Sequence, residues 1–437
     1  MVRSVARAPE RGKRTAQALL TTASSCPSLR KPRAINSAAC YWIRVRLHLP
    51  ALALLALAAA CGGTSPEPLP FQPASPTDHP SPAARGPFPV GVRTVVYTDP
   101  SRKMADGSLR KLTTEIWYPA VQSARGKAGA AYDILEYFTP AQQAQVGPGK
   151  IPLLQTDAVR DAAPARTHGP FPLVVFSHGH GAVRYQSTYY TVVLASHGYV
   201  VVSPDHEGDT LAEAVRSGLY PVTQGILDRP ADVSFLIDQQ DPRYAIPVAG
   251  DPLAGLVDLS RVGVTGHSFG GLTSLRVAAL DSRVKAIVPQ APTGTDVAWI
   301  GLRPPTLPVL LQAAHEDRTL TWNENAGQAW PTLPHPRYLL DLTHGGHFTF
   351  SDLCGLDLAS LASQIHFDIP GTDLNNVLND GCGPNATPAA VAQPIIDATA
   401  IGFFNAYLRG DLLARQSLTQ AAADALSPGA AQVTTDP

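Results

Sequence analysis

LSRVGVTGHSFGGLTSLRV, running from Leu259 to Val277, decides how the rest of the chain is read. Val262, Val264 and Thr265 are β-branched around a single glycine, so Arg261 to Thr265 reads as a short buried strand. Gly266-His267-Ser268-Phe269-Gly270-Gly271 turns sharply, and Leu272 to Leu280 has helical spacing and composition. A G-x-S-x-G turn between a strand and a helix is the setting of a nucleophile elbow. Ser268 must then hold a strained backbone angle with its hydroxyl exposed, which excludes bulky side chains two residues before and after it. The helix that follows aims its first amides at the place where an oxyanion would form.

Outward from this stretch, strands and helices alternate. Leu173 to Phe176 reads as a strand, followed by the loop Ser177-His-Gly-His-Gly181 and a helix through Tyr189 to His197. Tyr199 to Ser203 is a strand that leads into Asp205-His206-Glu207-Gly208, and a helix is expected around Arg229 to Asp238. After the elbow come strands at Val284–Val288, Val309–Gln312 and Tyr338–Leu342, then a closing helix from about Pro394 to Leu408. Val92 to Thr98 and Lys111 to Trp117 form an opening hairpin. The alternation predicts an α/β fold with a mostly parallel central sheet covered by helices on both faces. Residues 120–170 carry no strong period and read as an insertion able to wall a pocket.

A serine hydroxyl needs a base within hydrogen-bond reach and an acid to orient that base. In this fold type the chain order is Ser, then Asp or Glu, then His. The strand at 309–312 is followed by His315-Glu316-Asp317, and the strand at 338–342 by His344-Gly-Gly-His347. Both loops fall at the carboxyl edge of the sheet, where catalytic groups collect. Asp317 is therefore expected as orienter and His347 as base, with Glu316 and His344 as the runners-up. The glycines of loop 177–181 let backbone amides approach a developing charge, so the expected oxyanion donors are the amides of His180 and Phe269. A metal reading of His178-x-His180 finds no third ligand at a suggestive spacing. Trp299, Ile300, Trp322, Phe348 and Phe350 are equally readable as pocket lining or as packing.

Phe176-Ser-His-Gly-His-Gly-Ala, Leu194-Ala-Ser-His-Gly-Tyr-Val, Gly266-His-Ser-Phe-Gly-Gly and Gly346-His-Phe together resemble the platelet-activating-factor acetylhydrolase branch of the α/β-hydrolases. Bacterial dienelactone-hydrolase-like proteins look similar. The resemblance covers most of residues 90–410. It implies the α/β-hydrolase fold and a serine esterase that uses no metal or organic cofactor, with Ser268 as nucleophile, His347 as base, and His180 and Phe269 as oxyanion donors. The acetylhydrolases carry their acid just after the strand that follows the elbow helix. Here that place is Gln290-Ala291-Pro292, without a carboxylate, and Asp296 lies further on. Asp317 is therefore kept. Dienelactone hydrolases proper use a Cys nucleophile, against which Ser268 speaks.

The chain has 437 residues, 44% hydrophobic and 16% charged, enough for a sizeable core. Its net charge of −1 conceals an asymmetry. Ten Lys/Arg against one acidic residue give residues 1–60 a charge of +9, and 24 basic against 34 acidic residues give 61–437 a charge of −10. With no basic stripe downstream, nucleic-acid binding is not expected. Arg44 and Arg46 precede the apolar run Leu47 to Ala60, which suits a signal-peptide core and is short for a membrane span. The run ends Ala-Ala-Ala-Cys61-Gly-Gly, which resembles a lipoprotein cleavage site although position 58 is Ala. Residues 1–60 are thus read as a basic extension and signal peptide, with a true start near Val45 as one hypothesis. Residues 61–89, with nine prolines after Cys61, are read as an extended tether. Residues 90–437 are read as the catalytic domain. The expected product is an exported lipoprotein anchored in a bacterial membrane through Cys61, periplasmic or at the cell surface. A plainly secreted protein is the alternative. Cys354 and Cys382 remain as a pair in an exported chain, which favours a disulfide over free thiols.

The functional expectation is a monomeric serine esterase acting on small-molecule or lipid esters. Its rivals are a polyester- or cutin-type depolymerase with an open cleft, and a non-catalytic surface lipoprotein that kept the fold for binding.

Overall fold

The computed structural model describes residues 81–243, 253–355 and 379–437, all within the compact unit Thr64–Pro437. The signal-peptide residues, Cys61 and the tether up to residue 80 lie outside the described residues. The chain enters through β1 (Val90–Lys103) and β2 (Leu109–Pro119), an antiparallel hairpin. The insertion holds a two-stranded ribbon of β3 (Ala131–Tyr132) and β4 (Leu154–Gln155), a short α1 (Pro140–Val146), and β5 (Val159–Arg160), which pairs with β1. The α/β alternation then begins with β6 (Phe171–Ser177), α2 (Thr188–Ser196), β7 (Val200–Pro204), α3 (Leu211–Ser217) and α4 (Val222–Gln239). It continues with β8 (Val257–His267), α5 (Phe269–Leu280), β9 (Val284–Gln290), α6 (Thr295–Ala298), β10 (Val309–Ala314), α7 (Ala326–Ala329) and β11 (Arg337–Leu342). The described chain closes with α8 (Ala389–Leu408), α9 (Gln420–Leu426) and β12 (Ala431–Asp436).

Among the described residues ten strands form one sheet, in the order β12-β11-β10-β9-β8-β6-β7-β2-β1-β5. Its centre, from β7 to β11, is parallel; β2 joins β7 and β12 joins β11 antiparallel. Period-2 alternation assigns each side chain of a central strand to one of two cores. Leu173 and Val175 of β6 pack with Val233, Leu236, Leu272 and Leu275 of α4 and α5, while Val174 and Phe176 pack with Tyr190, Leu194, Ile401 and Phe404 of α2 and α8. Val262 and Val264 of β8 are fully buried, each contributing about 1.5–3 kcal/mol. Both faces are covered, which is why the central strands read as continuous apolar runs.

The parallel arrangement sends every central strand's carboxyl end to one edge. Ser268, the loop after β10 and the loop after β11 therefore meet there. The end of the expected tether is docked: Phe88 is buried, the Gly86 amide donates to Ser196 Oγ, and His197 Nε2 lies 2.8 Å from the Ala84 carbonyl oxygen.

Candidate active site

The site begins where β8 ends. Ser268 takes φ 57° and ψ −118°, a strained conformation for a residue with a side chain. Two backbone bonds hold it: its amide donates to the Gln290 carbonyl of β9, and its carbonyl accepts from Leu272 of α5. The flanking glycines are explained by the neighbouring strand. A Cβ on Gly266 would lie 2.4 Å from the Ser177 carbonyl oxygen, and one on Gly270 only 1.8 Å from it. Phe269 is the first residue of α5, so its amide is one of the orphan donors of a helix start.

Three imidazole–carboxylate pairs lie at the ends of β10 and β11 and in the loops that follow them, and burial separates them. His315 Nδ1 is 2.8 Å from Asp341 Oδ2, with the imidazole exposed. His344 Nδ1 is 2.8 Å from Glu316 Oε1, with both side chains about half exposed. His347 Nδ1 is 2.7 Å from Asp317 Oδ2, with both side chains only 3% exposed. The two runners-up of the sequence reading are thus partnered with each other at the surface. A pocket of about 240 Å3 opens beside them, lined by Glu316, Arg318, His344, Asn379 and Asn385, and Ser268 is not among its walls.

The His347 pair faces the elbow. The rings of His347 and His267 are 4.6 Å apart, and His267 Nε2 donates to the His347 carbonyl across 2.8 Å. His267 Nδ1 in turn accepts from the Gln186 amide group, whose oxygen accepts from the Gly179 amide. Burial pushes the His267 imidazole well below its ordinary pKa, and the neighbouring His347 adds to this, so it stays neutral. One chain of hydrogen bonds therefore links loop 177–181, the elbow and the backbone of His347. Among the described residues no hydrogen bond joins Ser268 Oγ to His347 itself. Such contacts are commonly long until substrate is seated.

Loop 177–181 is held by side chains that the sequence reading did not single out. Asp209 Oδ1 accepts from the Gly181 amide and lies 2.9 Å from His180 Nδ1. Arg229 donates to the carbonyls of His178 and Gly179 and pairs with Asp209 Oδ2 at 2.7 Å. Burial pushes the Asp209 carboxyl up, but Arg229 and His180 outweigh it and hold the group well below the usual carboxylate range. His178 is turned inward, donating from Nδ1 to the Gly179 carbonyl and accepting at Nε2 from the His206 amide. Beneath it, Ser177, His206 and Asp232 repeat a Ser–His–Asp hydrogen-bond pattern at 2.9 and 2.8 Å, yet all three are fully buried. No substrate carbonyl reaches Ser177.

Asp380 joins the other two loops. Its carboxylate accepts from the amides of His347, Arg318 and Thr319, and its carbonyl from the Phe348 amide. Next to it, Cys382 is disulfide-bonded to Cys354. Of the apolar pocket candidates, Phe350 is fully buried and stacks on His267, Trp322 packs on His315, and Ile300 is exposed. Gln290, where the acetylhydrolase-type acid would sit, is buried and donates to Gln312. Arg229 had a sequence signal: it shares a helix face with Val233, Leu236 and Ile237, an odd place for a cation. Asp380 had none.

Comparison with known proteins fits this geometry. A family model described as PET hydrolase-like matches residues 161–361, which include Ser268, Asp317 and His347. A second, platelet-activating factor acetylhydrolase isoform II, matches residues 74–216, which include loop 177–181. A ferulic acid esterase from Streptomyces cinnamoneus superposes with a TM-score of 0.54 at 27% identity, over 74% of this chain and 91% of that one. The chain has the α/β-hydrolase fold. The chain is also 26% identical over 171 residues to cutinase est2 of Thermobifida alba, covering 37% of this chain and 56% of the cutinase. It is 29% identical over 169 residues to the platelet-activating factor acetylhydrolase of Cavia porcellus, covering 31% of this chain and 39% of that protein. The chain spans about half the length of the cutinases it matches.

Proposed function

We propose that this hydrolase cleaves carboxylic esters through Ser268, His347 and Asp317. The observation that carries the reading is the buried Asp317–His347 pair, packed against the residue that precedes a strained, glycine-flanked serine. With Nδ1–H given to Asp317, Nε2 of His347 is left as the base. Ser268 Oγ attacks the ester carbonyl carbon, its proton passes to His347 Nε2, and the resulting oxyanion takes hydrogen bonds from the His180 and Phe269 amides. Collapse expels the alcohol, which leaves with the proton from His347. Water then attacks the acyl-enzyme, giving its proton to His347, and the acid departs as the proton returns to Ser268. Asp317 stays ionised throughout and stabilises the imidazolium.

Relatives named as cutinase, platelet-activating factor acetylhydrolase and ferulic acid esterase support ester substrates as the class. A polyester-type reading is favoured by the PET hydrolase-like match and by exposed Leu219, whose side chain lies against Gly181. Export belongs to the proposal too, on the apolar run before Cys61 and the Cys354–Cys382 bond, with Cys61 as the lipid anchor. Among the described residues no helix is long and apolar enough to cross a membrane. Labelling with radioactive palmitate, lost in Cys61→Ser, tests the anchor.

The test of the activity is hydrolysis of p-nitrophenyl esters from acetate to palmitate, with a fluorophosphonate label alongside. Turnover and labelling that vanish in Ser268→Ala support the serine esterase, and weight loss of a polyester film in the same assay favours the depolymerase. Folded wild-type protein that neither turns over nor labels overturns the reading in favour of a binding protein.

A further inference from the structure

Four backbone groups around the His180 amide, in the loop proposed to form the oxyanion hole, are engaged. The Gly179 amide donates to Gln186, the Gly181 amide to Asp209, and the carbonyls of His178 and Gly179 both accept from Arg229. The His180 amide has no protein partner among the described residues. The peptide joining Gly179 to His180 is trans, so its carbonyl and amide point in opposite directions. A guanidinium that holds the Gly179 carbonyl on one side thereby fixes the His180 amide on the other. The Ser268 side that it must serve is close: a Cβ on Gly179 would sit 3.6 Å from Ser268 Cβ.

The geometry points to Arg229 as a positioning residue that aims the oxyanion hole, with Asp209 as its fixed counter-charge. The assignment rests on the esterase reading above. Arg229 reaches both halves of the hole, because the same guanidinium lies 4.7 Å over the ring of Phe269, the second donor. A helix interior is a costly place for a cation, and Arg229 and Asp209 are both essentially inaccessible to water. A buried pair is weak as a source of stability but strong as a source of fixed geometry, since a planar fork satisfies two carbonyls and a carboxylate at once. Lysine in its place has a single nitrogen and cannot reach all three. The arrangement supplies what electrostatic stabilisation requires, namely donors oriented before the charge develops.

The experiment compares wild type, Arg229→Lys, and the double variant Arg229→Met/Asp209→Leu, which removes both buried charges and so folds even if the lysine variant does not. For each, kcat and KM for p-nitrophenyl butyrate are measured beside the inhibition constant of phenylboronic acid. That acid takes Ser268 Oγ onto boron and places a boronate oxygen where the oxyanion would sit. The expected result is a fall in kcat of about 10²-fold, as for loss of one oxyanion donor. KM should stay within about threefold, and boronate affinity should drop by a factor like that of kcat/KM. A merely structural role would not move the boronate and the turnover together while sparing KM. Folded variants with wild-type kcat, or with lowered kcat and unchanged boronate affinity, overturn the assignment. Wild-type protein inert to the ester and to the fluorophosphonate would instead sink the esterase reading itself.

Discussion

Asp317 and Glu316 are neighbours in the chain yet serve different imidazoles, and the difference lies in where each side chain is buried. Of these two pairs, only the Asp317–His347 hydrogen bond is withdrawn from water, so of the two it is Asp317 that fixes a tautomer without competition from solvent. Asp317→Asn is therefore expected to lower kcat by about 10³–10⁴-fold. Glu316→Gln and His344→Ala, which disturb a surface pair of a kind usually worth under about 1 kcal/mol, should leave kcat within about threefold. Steady-state kinetics on the three variants checks this; a loss in Glu316→Gln matching that of Asp317→Asn would move the acid to Glu316. The elbow glycines make a second residue-scale claim. A methyl at Gly270 collides with the backbone oxygen of Ser177 rather than with a flexible side chain, so nothing can step aside cheaply. Gly270→Ala should cost about 3 kcal/mol or more in urea unfolding. Gly383→Ala, whose nearest neighbour would be 3.5 Å away, should stay within about 1 kcal/mol.

Between elements, a single carboxylate does what neither loop could do alone. Asp380 accepts amide hydrogens from the residues just after Asp317 and from His347 itself, so it sets the spacing of the loops after β10 and β11. Asp380→Ala leaves those amides without their partner. It should reduce kcat by about 10–100-fold through misplacement of the base, with KM little changed, and Asp380→Asn should recover part of the loss. A kcat within twofold of wild type in a folded Asp380→Ala would show that the loops hold their spacing unaided. Such a link was not legible in the sequence, because Asp380 is recognised by backbone amides that only the fold brings near. The parallel core was legible for the opposite reason: strands buried on both faces carry apolar runs, Phe171–Phe176 in β6 and Val200–Val202 in β7. β12 escaped notice since Ala431–Asp436 alternates mostly exposed polar residues along an edge. The helix expected around Arg229 to Asp238 begins earlier, at Val222, with Pro230 inside α4. Ser268, Asp317 and His347 could be listed from motif and chain order. The residues that hold loop 177–181 could not, since Arg229 is remote in sequence and meets the loop through the carbonyl oxygens of His178 and Gly179, which no residue pattern encodes.

At the scale of the whole molecule, buried titratable groups set how stability follows pH, and they pull in two directions. Burial holds the imidazoles of His178, His197, His206 and His267 below their ordinary value, His197 and His206 down to about 4. The unfolded chain protonates these groups near pH 6.5, so between there and about pH 4 it binds more protons than the folded protein. Their contribution is complete above about pH 6.5 and is lost as pH falls through that window. Burial raises Asp205 and Asp352 to about 6 and Asp397 well above the carboxylate range. For Asp205 and Asp352 the folded state binds more protons between about pH 4 and 6, and for Asp397 from about pH 4 to a higher limit, so the same fall in pH returns stability. Asp209 and Asp232 lie on the other side. Burial pushes both up, but Arg229 beside one and Arg110 beside the other hold them well below the usual range, so their contribution is lost only under stronger acid. Urea unfolding free energy is thus expected to decline between about pH 7 and 6, where the four imidazoles outnumber Asp397. It should flatten from 6 to 4 as carboxyls and imidazoles offset, then fall steeply below 4. A maximum near pH 5 would mean that the raised carboxyls outweigh the four imidazoles. Arg229→Met/Asp209→Leu should soften the acid fall while leaving the step between pH 7 and 6 in place, because burial, the larger cause of the lowered imidazoles, remains when Arg229 is lost.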